Sequence, residues 1–318
     1  MRYLLNDLKL VYPPISNQGA FWLRKDKDVR EIISSSNLYM IGQRKQLYFV
    51  NIDTQEIEQG VITFNLKMGN IISPLIRYSI YDELKELDNE GDKIGIELGE
   101  QLFRFTLNTQ ENVICWFTPD SFLYLLSRKE INVFITEEFD FSQFWKFKLH
   151  YVGISKTRDS FYRLFDQGHT ARADILSNEK SIEESADLSD ELTIFFFEIE
   201  KYNFNIFLNE GEVEKDLNYY SDKIRVISDA EKAFVKLLKP KYNKILFDQY
   251  PKSDDGLCKD NIFRFGYSIK EDLTFYTNTD QFIGNYDLEK ASDLIIIENN
   301  EVELIKPDAN NGYSITPE

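Results

Sequence analysis

YVGISKTRDSFYRL, residues 151–164, and AEKAFVKLLKPKYN, residues 230–243, decide how this chain is read. The first stretch follows a run of β-formers, FWKFKLH (144–150), so Tyr151-Val152-Gly153 is predicted to end a strand. DSFYRLFDQG (159–168) then predicts a short helix closed by Gly168, because glycine readily takes the left-handed turn at a helix C-terminus. The second stretch predicts a helix that ends near Pro240, whose ring cannot continue it. Ser228 and Glu231 form a capping-box pattern, which would start that helix at Ser228 and place Glu231 at its third position.

Upstream, residues 1–128 read as short strands punctuated by Gly, Asn and Asp: LYMIG (38–42), QLYFVNI (46–52), GVITFNL (60–66) and IGIELG (94–99). SIYDELKEL (79–87) and PDSFLYLLSRKE (119–130) predict helices, the latter with Pro119 and Asp120 as its N-terminal signal. This segment is expected to be a β-rich domain of its own, serving recognition or docking. Residues 129–258 would form a second domain. It contains the strand INVFITEEF (131–139) and the β-prone run ELTIFFFEIEKYNFNIF (191–207), with polar excursions at 178–191 and 209–223. Residues 259–318 return to strands (NIFRFGYSI, DLTFYTN, DLIIIEN, EVELIKP) and a frayed tail. The expected class is α+β.

Composition sets bounds. With 42% apolar residues, 25 Phe and 18 Tyr, the chain has ample material for packed cores, which excludes general disorder. No apolar run reaches membrane-spanning length, and Asn6, Asp7 and Lys9 interrupt any N-terminal apolar stretch, so a cytoplasmic protein with no membrane partner is expected. Two cysteines (Cys115, Cys258) and two histidines (His150, His169) are too few for a structural zinc site. Carboxylates remain as ligands, and they suit Mg²⁺ or Mn²⁺. The net charge of −17 argues against a phosphate backbone as partner. However, residues 146–252 carry 17 basic and 19 acidic side chains, so nearly all of the negative charge lies in the flanks. There it serves solubility or docking to a basic protein.

The ordered series Tyr151-Val152-Gly153, Asp159, Arg163-Leu164, Glu231, Val235-Lys236 and Pro240-Lys241-Tyr242-Asn243 resembles the GIY-YIG nuclease family. The match spans roughly residues 130–250, and its motifs cover about thirty of them. The resemblance implies a small mixed sheet with flanking helices and a phosphodiesterase site. Tyr151 would orient or activate the attacking water. Arg163 would stabilise charge on the phosphoryl oxygens. Glu231 would hold one divalent cation, Mg²⁺ or Mn²⁺, acting as a Lewis acid. Gly153 would let the chain turn close to the phosphate, and Asn243 would organise the helix end. Lys232, Lys236, Lys239, Lys241 and Lys244 would form a basic lip for nucleic acid. The family's first tyrosine, in a Gly-Ile-Tyr-like triplet on the preceding strand, has no counterpart in INVFITEE, where Asn132 and Phe134 stand. His169 is therefore the expected proton-transfer group, since imidazole titrates near neutrality.

Plain structural roles compete with each of these. Tyr151 fits as a strand aromatic, Arg163 as a partner of Asp159 four residues earlier, Glu231 as a cap, and the lysines as a solvated face. His169 fits as a helix-end residue. The function expected is a metal-dependent endonuclease, with DNA favoured over RNA, of the kind found in host defence, restriction or repair. The alternative is a silent GIY-YIG-like module that binds nucleic acid, a nucleotide or a protein partner as a sensor or regulator.

Overall fold

The computed structural model describes residues 2–80, 93–205, 221–260, 262–287, 289–308, 310 and 312–313. Most of the helix expected at 79–87 and of the polar excursion at 209–223 lies outside these residues.

The chain opens with β1 (Arg2–Leu10), β2 (Ile15–Ser16), α1 (Asn17–Leu23), α2 (Lys27–Ile33) and β3 (Leu38–Gln43). A run of short strands follows: β4 (Leu47–Asp53), β5 (Val61–Met68), β6 (Ile71–Ile72), β7 (Ile76–Ser79), β8 (Ile94–Leu98), β9 (Phe103–Leu107) and β10 (Val113–Phe117). Next come α3 (Pro119–Ser127), β11 (Val133–Ile135), β12 (Lys146–Ile154), α4 (Thr170–Asn178) and α5 (Leu188–Glu191). Then follow β13 (Leu192–Asn205), α6 (Lys223–Leu238), β14 (Arg264–Ile269), β15 (Thr274–Tyr276), β16 (Gln281–Ile283), β17 (Leu294–Glu298) and β18 (Glu301–Ile305).

The class is α+β. One large sheet runs β16-β15-β12-β3-β13-β1-β14-β17-β18, with β2 added on β13. Its strands come from all three expected segments, so sheet hydrogen bonds cross both boundaries, at 128 and at 258. The first 43 residues do not belong to a separate N-terminal domain: β1 and β3 flank β13 at the centre of the sheet. The C-terminal strands extend it on both sides. Strand alternation cannot report such long-range pairing, because a strand shows which face it buries and not whom it pairs with. Two smaller sheets, β11-β7-β5-β4 with β6 and β10-β9-β8, come from residues 47–135, a β-rich insert between β3 and β12.

β3 is buried at all six positions, which suits the centre of a sheet covered on both faces. Alternation then divides its side chains. Leu38 and Met40, with Phe195 and Phe197 of β13, pack on the face that α6 covers. Tyr39 and Ile41, with Ile194 and Phe196, pack on the opposite face beneath Ala20, Val29, Ile33, Phe161, Leu164 and Ile175. Among the described residues no helix is long and apolar enough to cross a membrane.

Candidate active site

The second half of β12 carries Tyr151 at an unusual edge. On one side, Lys148 to Ile154 pair antiparallel with β3, with a bulge between Leu149 and Tyr151. On the other side, β15 pairs only with Lys146–Lys148, so among the described residues Val152 has no strand neighbour there. Asn243 takes that place. Its Nδ2 donates to the Val152 carbonyl at 2.7 Å, and its Oδ1 accepts from the Val152 amide at 3.0 Å. The Tyr242 amide donates to the His150 carbonyl at 3.0 Å. The chain beyond α6 is thereby fastened to the strand that bears Tyr151. Asn243→Ala leaves a fully buried N–H and C=O without partners, and an unfolding free energy lower by about 2–4 kcal/mol is expected. Urea denaturation measures it; a loss below about 0.5 kcal/mol would show that another group satisfies this edge.

The strand beside Tyr151-Val152-Gly153 is β3, not 131–139. The latter supplies only β11, which pairs with β7 in a small sheet. Tyr39 lies opposite Gly153, and its ring centroid is 6.1 Å from that of Tyr151. Gly153 is required for this pairing of rings: a Cβ there would lie 2.8 Å from the Tyr39 hydroxyl. Its backbone is not left-handed, so the glycine makes room for two phenols instead of allowing the turn near a phosphate expected from sequence.

His169 does not occupy the place of a base. It is the N-cap of α4, and its Nδ1 accepts from the Arg172 amide at 3.0 Å. Burial pushes its pKa down to about 4, so the ring is neutral. With Nδ1 accepting, Nε2 carries the proton and donates to the Tyr39 hydroxyl at 2.9 Å. Tyr39 in turn lies beside Tyr151, and the interaction of the two phenols raises the pKa of Tyr39 and lowers that of Tyr151. His169, Tyr39 and Tyr151 thus stand in one relay of side chains beside the cleft. Burial and then the charge of Glu231 push Tyr151 up to about 12, and burial holds Tyr39 higher still. Both are phenols at neutral pH.

Arg163 lies in a π-helical turn, Tyr162–Asp166. It is not paired with Asp159, whose carboxylate accepts from the Tyr162 amide at 2.8 Å and so caps the turn. The guanidinium donates to Gln167 Oε1 at 3.1 Å, a neutral partner, and makes no ion pair among the described residues. That charge acts to lower the pKa values of Tyr39, Tyr151 and His169 together.

Glu231 is not a cap. α6 begins at Lys223, with Asp222 accepting from the Ile224 and Arg225 amides, so Glu231 lies in the middle of the helix. Its carboxylate has no hydrogen-bond or ion-pair partner among the described residues. Burial raises its pKa to about 7, against the pull of Lys156 and Lys232. A carboxylate so under-compensated fits a divalent cation, which would stabilise its charged form. Among the described residues no group of three or more His, Cys, Asp or Glu surrounds it, so such an ion would be completed by water and phosphate oxygens, as suits Mg²⁺.

These groups meet. Tyr151, Arg163, His169, Glu231 and Asn243 line one open cleft of about 360 Å³. Lys244, 78% exposed, and Ile245, 67% exposed, form its lip. The remaining lysines do not form a row beside it. Lys232 is buried and ion-paired with Asp255, and Lys241 with Glu179 at 2.5 Å. Lys236 donates to the Asp248 carbonyl at 2.7 Å. Lys239 is exposed in the left-handed residue that ends α6. Sequence reasoning missed Tyr39, whose only signal was a tyrosine inside an apolar strand. Comparison with family models, with characterised proteins and with solved structures gives no significant match.

Proposed function

We propose that this chain is a metal-dependent phosphodiesterase acting on nucleic acid, with DNA favoured, built around a GIY-YIG-like core. The observation that carries the reading is the single cleft lined by Tyr151, Arg163 and Glu231, which come from a strand, a turn and a helix distant in sequence. Asn37-Leu38-Tyr39 supports it further. Tyr39 stands on the strand paired with Tyr151-Val152-Gly153, as the family's first tyrosine does, and the insert after Gln43 displaces the two from each other in sequence.

Each residue has a chemical task. Tyr151 lines the cleft, where its hydroxyl orients the attacking water, and the rings of Tyr39 and His169 pack against it. Arg163 receives the equatorial phosphoryl oxygens, whose negative charge grows in the transition state. Glu231 would hold the cation with Asn243 fixing the neighbouring chain; when bound, Mg²⁺ or Mn²⁺ supplies Lewis-acid stabilisation of the leaving oxygen. Lys244 at the lip offers a further contact to the backbone.

The test uses purified protein with supercoiled plasmid, single-stranded DNA and RNA, with Mg²⁺, Mn²⁺ or EDTA. Cleavage of DNA that EDTA stops is expected. Tyr39→Phe, which breaks the relay without removing a ring, is expected to lower kcat about 10²-fold with KM nearly unchanged. Stable nucleic-acid or protein binding without cleavage of any substrate would instead favour the silent module, a reading that the −17 charge supports.

A further inference from the structure

A second cavity, of about 600 Å³, lies away from the cleft, between the turn after β1, α1, β10 and the start of α3. Three aromatic side chains from three different elements face it: Tyr12, Trp22 and Trp116. Trp22 is 68% exposed on a helix whose buried residues are Asn17 and Ala20, so its indole offers a large apolar surface with little cover. Pro13, Pro14 and Leu102 complete an apolar lining. Its polar groups are mostly acceptors or neutral. Asp190 makes no side-chain hydrogen bond or ion pair among the described residues, and Asp120 Oδ1 accepts from the Arg44 guanidinium at 2.5 Å. Among the described residues no lysine lines the cavity. Its arginine, Arg104, is already engaged by the Gln110 carbonyl at 2.5 Å.

We propose that this cavity binds an uncharged nucleoside whose base carries an exocyclic amino group. The aromatic rings supply stacking planes, and the unpaired Asp190 carboxylate supplies the acceptor for an amino group. Lack of lysine and the presence of two carboxylates disfavour phosphates. The volume exceeds that of a lone base and admits a ribose, whose hydroxyls suit Gln46 and Gln101. The cavity is also tied to the candidate active site. Arg44, the partner of Asp120, directly follows β3, and its guanidinium lies 4.8 Å over the Phe147 ring of β12. Occupancy would therefore bear on the two strands that hold Tyr39 and Tyr151. The binding claim itself is independent of any nuclease activity.

Intrinsic tryptophan fluorescence tests it, since two of the three tryptophans line the cavity. Adenosine is expected to change the emission saturably, and inosine, which replaces the amino group, to bind about tenfold more weakly. Asp190→Asn is expected to remove that preference and Trp22→Ala to weaken adenosine about tenfold; both positions are partly or largely exposed, so neither change threatens the fold. A short dA oligonucleotide in a parallel arm distinguishes a base presented on a strand from a free nucleoside. The proposal is overturned if adenosine, guanosine and cytidine all fail to saturate at millimolar concentration, or if both variants bind as wild type does.

Discussion

Arg163→Ala is expected to slow phosphodiester cleavage about 10³-fold while the protein stays folded. The guanidinium is half-buried at the cleft and among the described residues hydrogen-bonds the side chain of Gln167, so its loss removes little packing and leaves no buried charge unpaired. On the proposed mechanism, what disappears is the cation that faces growing charge on the phosphoryl oxygens. That interaction is stronger in the transition state than with bound substrate, so kcat should fall and KM change little. Arg163→Lys is expected to recover only part of the rate, because an ammonium cannot bridge two oxygens as a planar fork does. Steady-state kinetics on a plasmid substrate, with circular dichroism to confirm folding, measure both. A fall in kcat/KM carried wholly by KM would make Arg163 a docking residue instead.

Glu231→Gln is expected to lower cleavage about 10³-fold and to leave a second signature that needs no substrate. The carboxyl group of Glu231 has a folded-state pKa raised from 4.5 to about 7 by burial. A raised carboxylate favours the folded state in its protonated form. Its contribution is fully present below about pH 4.5 and is lost as pH rises through about 7. Glutamine mimics the protonated form at every pH. The variant should therefore match wild type near pH 4 and exceed it above pH 7 by about 3 kcal/mol. Mg²⁺ should then raise the Tm of wild type at pH 8, by neutralising the carboxylate, and leave the variant's Tm unchanged. Thermal denaturation across pH, with and without Mg²⁺, reads all of this. Equal Tm values for the two proteins at pH 8 would mean that Glu231 is already compensated.

The local elements were legible in the sequence, and the pairing of strands was not. LYMIG, QLYFVNI, GVITFNL and FWKFKLHYVGIS announced strands, and Pro119 and Pro240 marked a helix start and a helix end that the structure keeps. The start of α6 was misplaced, because Ser228-x-x-Glu231 has the form of a capping box while Asp222 holds the actual cap. The main sheet escaped the reading because its central strands β3, β13 and β1 are far apart in the chain. The same gap hid Tyr39. A partner for Tyr151 was sought on the preceding strand, and the one that pairs with it lies on the far side of an insert. Within the candidate site, Tyr151, Arg163 and Glu231 were found because their spacing carried a resemblance. The relay through His169 was not, since the tautomer depends on the Arg172 amide, a contact that only folded coordinates place. The lysine row failed for a related reason: burial and nearby carboxylates, invisible in a linear count, decide which lysines face solvent.

The most direct measurement is the Mg²⁺-dependent nicking of supercoiled plasmid by wild-type protein beside Arg163→Ala, Glu231→Gln and the double variant, all purified alike. If the three side chains work as one phosphodiesterase site, wild type nicks the plasmid, and the double variant is no more than about tenfold slower than the slower single variant, because groups that act as a unit lose activity together. Nicking by the double variant at the wild-type rate would contradict the account and place the chemistry elsewhere.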